Sequence, residues 1–421
     1  MLCEGGGGMK EVIIIGGGAS GLVAAIVAAR RGAKVCILER LDRIGKKILV
    51  TGNGRCNITN THLEASCYHT SHKSKSIMAP IEYFGYEETK SFFEELGIVF
   101  MVEGKKVYPH SEQATSVLDV LRMELQRLGV EILTGVKVVD LFYKKGAWQL
   151  IDEAGDTYRG QKVIVATGGM ANTSLGCDGI GYNLLKRLGH QVAPTFPILV
   201  HMLSNTPYCK MMQGTKIKAL VTIEVEGQVM RQEYGEVLFT EDGLSGPPIF
   251  QLSRIGSQAK LNGQAAKVRL DLFEGKEEDE LVSLLYERIA RQPERSIEEL
   301  FIGLLHKRLI VPILKAAGIV QIGRPCENLE YEEIAHIAKV LKAFCFNIQG
   351  TRSYKYAQVT AGGIKVDEVD LKTMASLKAK DLYITGEVLD VDGDCGGYNL
   401  QWAWSTGFIA GESVSRNGAE E

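Results

Sequence analysis

The feature that most constrains the fold is a glycine-rich turn between a short apolar run and a helix. Residues 11–15, Glu-Val-Ile-Ile-Ile, form a short and mainly apolar, β-branched run, which predicts a buried parallel strand. Residues 16–21 then fit the spacing G-x-G-x-x-G, and an alanine-rich helix over 20–31 precedes a second strand over 34–39. This order of strand, turn, helix and strand predicts a βαβ unit built to hold a dinucleotide.

Each glycine of this turn has a distinct expected role. Gly16 permits the tight turn, Gly18 lets the backbone approach a pyrophosphate, and Gly21 allows the helix to pack closely against the strand. The helix N-terminus supplies free N–H groups and partial positive charge for the anion. Glu39 ends the second strand and is expected to accept hydrogen bonds from a ribose diol. The turn alone does not distinguish FAD from NAD.

Three other segments favour FAD. Residues 43–60 form a polar, glycine-rich loop where a long cofactor would extend, and residues 162–169 read as a strand that ends in Thr-Gly-Gly. Near the C-terminus, residues 381–390 read as a strand followed by glycine and acids, and residues 395–401 open a final helix. The N-terminus of that helix would stabilise negative charge on a reduced flavin. Since no second G-x-G-x-x-G occurs, a separate NAD(P) domain is not expected.

Four stretches carry a family resemblance: residues 43–60, 238–247, 359–364 and 386–401. They resemble the BaiN/YhiN-type flavoproteins, a family of NAD(P)/FAD-dependent oxidoreductases also called the aminoacetone oxidase family. The resemblance extends from Met9 to about Gly411. It implies an α/β fold in which an FAD-binding, Rossmann-like domain of the two-dinucleotide type carries an inserted β-barrel-like subdomain and a small helical bundle.

The order of strand-like and helical segments along the chain predicts the domain boundaries. Residues 9–193 and 351–421 are assigned to the FAD-binding domain, residues 194–275 with part of 320–350 to the β-rich insert, and residues 276–345 to the helical insert. Ser245 is interpreted as the N-cap of a helix. Residues 1–8 are interpreted as a leader outside the fold, with Met9 as the natural start.

The predicted site residues fall into two groups. Cofactor binding is assigned to residues of the turn, the polar loop, the third strand and the C-terminal segment: Gly16, Gly18, Ala19, Ser20, Gly21, Glu39, Arg40, Gly45, Lys46, Lys47, Gly54, Arg55, Cys56, Asn57, Val138, Thr167, Gly168, Gly169, Gly386, Glu387, Asp390, Gly397, Tyr398, Asn399 and Leu400. The catalytic candidates are Arg55, Arg352, Tyr356 and Tyr398. His62, Cys67, His69 and His72 match no zinc spacing, so no metal site is predicted.

These residues and the resemblance predict an FAD-dependent oxidoreductase that holds FAD tightly without a covalent bond. NAD(P)H is the expected transient reductant, and the resemblance implies reduction of an activated C=C bond in an apolar enone such as a 3-oxo-Δ4/Δ6 bile-acid or steroid-like intermediate. The alternatives are a flavin oxidase acting on a small amine, and an FAD-holding redox sensor or RNA-associated flavoprotein. The oligomeric state is left open.

Composition limits the partners. The net charge is −3 with Lys and Arg scattered along the chain, which predicts no nucleic-acid partner. No apolar run approaches the roughly 20 residues that span a bilayer. The nine cysteines are dispersed without a C-x-x-C motif, which is typical of reduced thiols and predicts a cytoplasmic location.

Overall fold

The computed structural model of the protein describes residues 9–72 and 75–415. The predicted leader, residues 1–8, lies outside the described residues. Within them the chain divides into two compact units. The terminal unit comprises the described residues up to Pro197 and from Ala357 onward, and the inserted unit comprises Ile198–Tyr356.

A nine-stranded sheet forms the centre of the terminal unit. Five of its strands are parallel, in the order Leu382–Ile384, Thr157–Val165, Lys10–Ile15, Val35–Glu39 and Glu131–Thr134. The remaining strands are antiparallel, and they are Val138–Lys144, Ala147–Asp152, Val369–Asp370 and Ala375–Ser376. The parallel strands therefore end at one common edge, which is where ligands bind in open α/β sheets.

The central strands are buried because their side chains are apolar and β-branched. Residues Val12 to Ile14 and Val163 to Val165 have no exposed surface. Helices cover the sheet, and their bounds are Ala19–Arg30, Ala79–Tyr83, Tyr86–Glu95, Ala114–Arg127, Ile180–Arg187 and Tyr398–Ser415. Burial of this apolar surface is the main stabilising contribution to the unit.

Small strand pairs connect the polar loop, and the residues that follow it, to other parts of the terminal unit. Tyr68–His69 pairs with Asp392–Gly393. A separate three-stranded sheet is formed by Thr59–Asn60, Lys106–Pro109 and Phe100–Glu103. Short strands also occur on either side of the inserted unit, at Phe196–Ile198 and Val359–Ala361.

The inserted unit contains a closed six-stranded barrel. Its strands, in order around the barrel, are Met202–Ser204, Gly243–Ser245, Gln228–Thr240, Lys216–Val225, Ala266–Asp271 and Phe344–Thr351. The helices of this unit are Cys209–Met212, Pro247–Leu261, Glu278–Arg291, Ile297–Leu300, Lys307–Ala316 and Tyr331–Lys342. The predicted combination of a Rossmann-like α/β domain, a β-barrel and a small helical bundle is confirmed.

The assignment of Ser245 as a helix N-cap is wrong. Ser245 is buried in a barrel strand, where it pairs with Leu238. The helix begins two residues later at Pro247, and Gly246 is its N-cap. Gly246 has a φ of 108°, a conformation that glycine adopts without a steric penalty, and this left-handed residue redirects the chain from strand to helix.

None of the helices in the described residues is both long and apolar enough to cross a bilayer.

Candidate active site

The glycine-rich turn at the edge of the parallel sheet has the geometry that its spacing predicts. Gly16 has a φ of 107°, and a Cβ atom there would lie 2.4 Å from the carbonyl oxygen of Ala166. A Cβ atom at Gly21 would lie 2.1 Å from the oxygen of Gly16. At Gly18, by contrast, an added Cβ would meet no atom of another described segment within 4 Å. The turn is therefore closely packed at Gly16 and Gly21 and open at Gly18, where a pyrophosphate would lie.

The helix Ala19–Arg30 presents its N-terminus at this opening. Its N-cap is Gly18, and no side chain of the described residues caps it. The first-turn N–H groups of a helix have no partner within the helix and bind anions well. Ala19 and Ser20 occupy that first turn, so their backbone groups are available to a phosphate.

The Glu39 carboxylate is buried and held in place by two backbone groups. Gly17 N–H donates to Oε2 and Leu41 N–H donates to Oε1, each at 2.8 Å. Each oxygen keeps a second lone pair for a ribose hydroxyl. This arrangement fits the role that the sequence predicts for Glu39.

The neighbouring basic residues are paired with acids. Arg40 lies 2.5 Å from Asp178 and also donates to the carbonyl oxygen of Gly176, at 3.3 Å. Lys46 forms an ion pair with Asp42. The Arg40 contacts connect the Glu39 strand to the segment that follows Gly169.

Lys47 joins the polar loop to the C-terminal segment. Its Nζ lies 2.6 Å from Glu387 Oε2, and the other oxygen of Glu387 accepts a hydrogen bond from Thr360 N–H at 2.8 Å. Burial opposes a charge on Lys47, but Cys177 and Glu387 outweigh it and raise the pKa of the ammonium group. Burial also raises the pKa of the Cys177 thiol, although Lys47 acts in the opposite direction. The sequence did not single out Cys177, and it gave Thr360 no role of its own although Thr360 lies in the resembling stretch 359–364.

A buried hydroxyl without a partner among the described residues follows the strand Thr157–Val165. Thr167 Oγ1 makes no hydrogen bond to any described residue, and the same is true of Thr385 Oγ1 at the end of the neighbouring parallel strand. Gly168 has a φ of 70°, and a Cβ atom at Gly169 would lie 2.6 Å from Thr360 Oγ1. Buried polar groups are normally satisfied, so two such hydroxyls beside a glycine cradle fit the binding of a polar cofactor.

The polar loop is fixed by its backbone and by acidic neighbours. Gly45 N–H donates to the oxygen of Gly17 at 2.8 Å, and Gly54 has a φ of 84°. Arg55 lies 2.6 Å from Glu103 and 3.0 Å from Glu112, so its charge is neutralised by two carboxylates.

Cys56 and Asn57, the next loop residues, are buried. Burial raises the pKa of the Cys56 thiol to about 12, so the thiol is neutral near pH 7. Asn57 Oδ1 accepts a hydrogen bond from Val107 N–H at 3.2 Å. This hydrogen bond joins the loop to the strand Lys106–Pro109.

The two ends of the chain pack directly against each other at this site. A Cβ atom at Gly386 would lie 2.6 Å from Ser20 Oγ, and one at Gly407 would lie 2.3 Å from the Ser20 carbonyl oxygen. A Cβ atom at Gly411 would lie 2.6 Å from the oxygen of Ala24. Only glycine at these positions permits the first and last helices to approach so closely.

The C-terminal segment is fixed by contacts with residues 69–71. Asp390 is buried and accepts hydrogen bonds from Ser71 N–H at 3.0 Å and Thr70 Oγ1 at 3.3 Å. His69 Nε2 lies 2.8 Å from Asp394. These contacts hold the turn that precedes the last helix.

The last helix begins at Tyr398. A Cβ atom at Gly397 would lie 2.5 Å from the oxygen of Thr59, while the Asn399 side chain exchanges two hydrogen bonds of 2.8 Å with the backbone of Gly393. Tyr398 is buried, and its ring packs edge-on against that of Tyr68 with the ring centroids 5.7 Å apart. Burial raises the pKa of the Tyr398 phenol.

Leu400 is half-buried in the first turn of the last helix, whereas Val138 is buried in a strand paired with Asp152. Among the predicted cofactor residues, the structure therefore brings together the turn, Glu39, Lys47, Thr167 to Gly169 and the Gly386 segment. These donors suit a dinucleotide that extends from the glycine turn to the C-terminal segment, and FAD fits this description.

The remaining catalytic candidates lie in the inserted unit. Arg352 Nη2 contacts both carboxylate oxygens of Asp242, at 2.9 and 2.7 Å. Tyr356 is about half exposed, and its ring centroid lies 5.2 Å from the Arg352 guanidinium carbon. His201 belongs to the same cluster, although the sequence offered no pattern that would have identified it.

Comparison with known proteins agrees with this geometry. Residues 10–413 match the family model described as the HI0933-like protein Rossmann domain. A 3-dehydro-bile acid delta(4,6)-reductase of Clostridium scindens is 40% identical over 91% of this chain and 93% of its own. A ribosomal RNA dihydrouridine synthase of Escherichia coli is 28% identical over 92% of this chain and 93% of its own.

Among solved structures, a 3-ketosteroid-delta4-(5alpha)-dehydrogenase of Rhodococcus jostii matches with a TM-score of 0.48 and 15% identity, over 97% of both chains. The family assignment made from the sequence is confirmed by the match to residues 10–413. The chain belongs to the HI0933-like family and is a flavin-dependent oxidoreductase.

Proposed function

We propose that this protein uses FAD to saturate a C=C bond that is conjugated to a carbonyl group. The observation that carries the proposal is the relative named 3-dehydro-bile acid delta(4,6)-reductase, which is 40% identical over 91% of this chain. An alignment of that length includes parts of both units. The proposal therefore draws on a shared inserted unit as well as on a shared cofactor site.

The more distant relatives support the same class of reaction. The ribosomal RNA dihydrouridine synthases of Escherichia coli and Haemophilus influenzae are 28% and 29% identical to this chain. Dihydrouridine differs from uridine by saturation of one ring C=C bond that is conjugated to a carbonyl group. The relatives' names thus describe different acceptors that share one reactive group, a C=C bond conjugated to a carbonyl group.

The acceptor that we favour is an apolar enone such as a 3-oxo-Δ4/Δ6 bile acid or a related steroid. The relative with that substrate in its name has the higher identity, 40% against 28%. A net charge of −3 is also unlike the clustered positive charge that supplies most of the affinity for nucleic acid. A uridine of ribosomal RNA is the second candidate, and the dihydrouridine synthases are the observation that favours it.

Bound FAD would supply a hydride to the acceptor. The residues of this chain would hold it along its length: Gly18 and the first-turn N–H groups at the pyrophosphate, Glu39 at the ribose, and the N-terminus of helix Tyr398–Ser415 at the isoalloxazine. Tyr398 is the first residue of that helix, and its phenol is protonated near pH 7, so we propose it as a proton donor.

The other catalytic candidates differ in how freely they could act. The charge of Arg55 is neutralised by Glu103 and Glu112, so we propose that it shapes the polar loop. Arg352 is fixed by Asp242, and we propose that it contacts the substrate, with Tyr356 at the edge of the same cluster.

We propose NADH or NADPH as a reductant that binds only transiently, because the sequence has no second dinucleotide fingerprint. A cytoplasmic location is proposed on the cysteines, since none of the eight within the described residues forms a disulfide.

The test is an anaerobic titration of the purified yellow protein. Loss of flavin absorbance with NADH or NADPH identifies the reductant, and its recovery is then followed with a 3-oxo-Δ4,6 bile acid or with unmodified ribosomal RNA. The fully saturated 3-oxo bile acid is the matched control, because it keeps the carbonyl but lacks the C=C bond. Reoxidation by the unsaturated compound alone, with a product heavier by two hydrogens per bond, supports the favoured acceptor. Dihydrouridine in the RNA supports the second candidate, and reoxidation by neither contradicts the proposal.

A further inference from the structure

The barrel of the inserted unit carries a polar cluster in which two buried nitrogen atoms have no hydrogen-bond partner among the described residues. His201 directly precedes the strand Met202–Ser204, and Arg352 directly follows the strand Phe344–Thr351. These strands are paired, and Arg352 N–H donates to the oxygen of His201 at 3.0 Å. The two side chains therefore start from adjacent backbone positions.

The imidazole of His201 is held in place by stacking and makes no hydrogen bond within the described residues. Its ring lies nearly parallel to that of Phe250, with centroids 5.5 Å apart and planes 20° apart. Its Nδ1 atom is buried without a partner. Leaving such a group unsatisfied costs about 1–3 kcal/mol. A buried polar atom of this kind calls for an explanation, and a ligand atom that supplies the missing contact is one.

Arg352 shows the same combination of fixed position and unused hydrogen-bonding capacity. One of its terminal nitrogens contacts both oxygens of Asp242, and Asp242 also accepts a hydrogen bond from Thr240 Oγ1 at 3.1 Å. Its Nε atom is buried and has no partner in the described chain. Because Asp242 neutralises the guanidinium, the cluster suits a neutral hydrogen-bond acceptor better than a full anion.

The backbone that leads into the cluster is in an unusual conformation. Leu199, two residues before His201, has a φ of 49°, which is rare for a residue with a branched side chain. Such conformations persist where the surrounding structure imposes them and are concentrated at ligand-binding sites. This observation is independent of the unpartnered nitrogens.

We propose that His201, together with Arg352, binds the carbonyl oxygen of the substrate. The inference rests on the function proposed above and names the residues that recognise the acceptor. As a hydride bonds to the far carbon of the C=C bond, the π electrons move toward the carbonyl and negative charge develops on its oxygen. Donors placed at that oxygen stabilise the enolate, and a proton from a general acid or from water then bonds to the carbon next to the carbonyl. Burial and the charge of Arg352 lower the pKa of His201, so a neutral imidazole donates the hydrogen bond near pH 7.

The test compares His201→Phe with His201→Asn, using the same two acceptors as above. Phenylalanine keeps the stacking on Phe250 but has no donor, whereas the asparagine amide can occupy the position of Nδ1. His336→Phe is the matched control, because His336 is exposed on a helix of the same unit. FAD content, the rate of FAD reduction by NAD(P)H and kcat/KM for the acceptor are measured for each protein.

We expect H201F to lower kcat/KM by roughly 10- to 100-fold. This is somewhat less than the usual effect of removing one hydrogen-bond donor from a developing oxyanion. FAD content and the rate of FAD reduction should remain at the wild-type level, H201N should recover a large part of the loss, and H336F should behave as wild type. If circular dichroism shows that H201F does not fold, His201→Gln is used in its place. The glutamine side chain is one carbon longer than that of asparagine, so its amide lies away from the position of Nδ1. Loss of turnover in H201Q with retention in H201N then supports the proposal.

Two results would overturn this assignment while leaving the reductase function intact. One is turnover by H201F, or by H201Q where it takes the place of H201F, within twofold of an active wild type. The other is an equal loss in H201F and H201N accompanied by loss of FAD, which would mean a structural role. A wild-type protein that reduces neither acceptor contradicts the proposed function itself, and the assignment of His201 with it.

Discussion

The polar sites of the two units are built in opposite ways. In the terminal unit the cradle is made largely of backbone, because Gly16, Gly18 and Gly21 remove side chains where another group must approach. In the inserted unit the cluster is made of side chains, with His201, Arg352 and Asp242 held by stacking and ion pairing. Backbone recognition is insensitive to most substitutions and suits a cofactor shared by a whole family. Side-chain recognition changes with single substitutions and suits an acceptor that differs between relatives.

This contrast predicts that the two sites fail differently. Substitutions in the glycine cradle should abolish FAD binding. Substitutions in the side-chain cluster should leave FAD bound but lower the rate at which the acceptor is reduced.

The largest effect is expected at Gly16. An alanine Cβ there would lie 2.4 Å from the oxygen of Ala166 in a backbone conformation with φ 107°, so Gly16→Ala should lower the free energy of unfolding by roughly 3 kcal/mol and abolish FAD binding. Urea unfolding and the ratio of absorbance at 450 and 280 nm measure both effects.

Gly18→Ala is the matched variant for this prediction. Its Cβ meets no other described segment within 4 Å, so the fold should be retained while the methyl group obstructs the cofactor and raises the Kd for FAD at least about tenfold. Wild-type FAD affinity in G18A would contradict the proposed position of the pyrophosphate.

An intermediate effect is expected at Asp242. Asp242→Asn weakens the contact that fixes Arg352, so kcat/KM for the acceptor should fall roughly tenfold, since a displaced binding group loses transition-state contacts. FAD content should not change. Glu236→Gln, which removes an exposed ion pair with Lys216 in the same barrel, is the control and should change neither quantity. Loss of FAD in D242N would remove the distinction between the two sites.

A smaller effect is expected from pH, because the terminal unit contains a buried histidine and the inserted unit a half-buried one. Burial lowers the pKa of His190 despite Glu368, and it lowers the pKa of His201 together with the charge of Arg352. The unfolded chain binds protons at both residues near pH 6.5, whereas the folded chain binds them only at lower pH. Stability should therefore fall as pH decreases from about 6.5, by at most about 1.4 kcal/mol per pH unit for each histidine.

Urea unfolding between pH 5 and 7.5 measures this slope. His201→Asn should make it shallower by removing the contribution of the inserted unit. The remaining slope belongs to His190, whose ring contacts Glu368 at 3.1 Å and Ser376 at 2.9 Å, with Lys378 as the nearby charge. Equal slopes in wild type and H201N would show that His201 is not buried as a neutral group.

The smallest effect is expected at Cys56. The raised pKa keeps this buried thiol protonated, so Cys56→Ala should change kcat by less than about twofold while FAD content stays constant. Steady-state kinetics of the FAD-loaded protein measure this. A tenfold loss of kcat at full FAD content would instead give the thiol a chemical role.

Local patterns were sufficient to predict the glycine turn, Glu39 and the order of elements around them. The reason is physical: a strand, a tight turn and a helix N-terminus are specified by residues close together in sequence. The C-terminal segment was predicted from its own strand, glycine and acid pattern and from the family resemblance.

Contacts between distant segments could not be predicted in this way. Lys47 meets Glu387 across 340 positions, and Thr360 accepts a hydrogen bond from Ala171 N–H across 189. Cys177 and His201 sit in no motif, and their importance depends on burial and neighbours that only the fold defines. Ser245 was misassigned because a glycine with positive φ, and not a hydroxyl, precedes the helix.

The glycine contacts between the first and last helices have a consequence for biosynthesis. Ser20 packs against Gly386 and Gly407, residues that the ribosome adds 366 and 387 positions later. A nascent chain therefore exposes an incomplete half-cradle throughout most of its synthesis and gains the second half only with its final helix. We therefore expect flavin loading to follow translation, and a chain that stops short of this helix to bind no flavin.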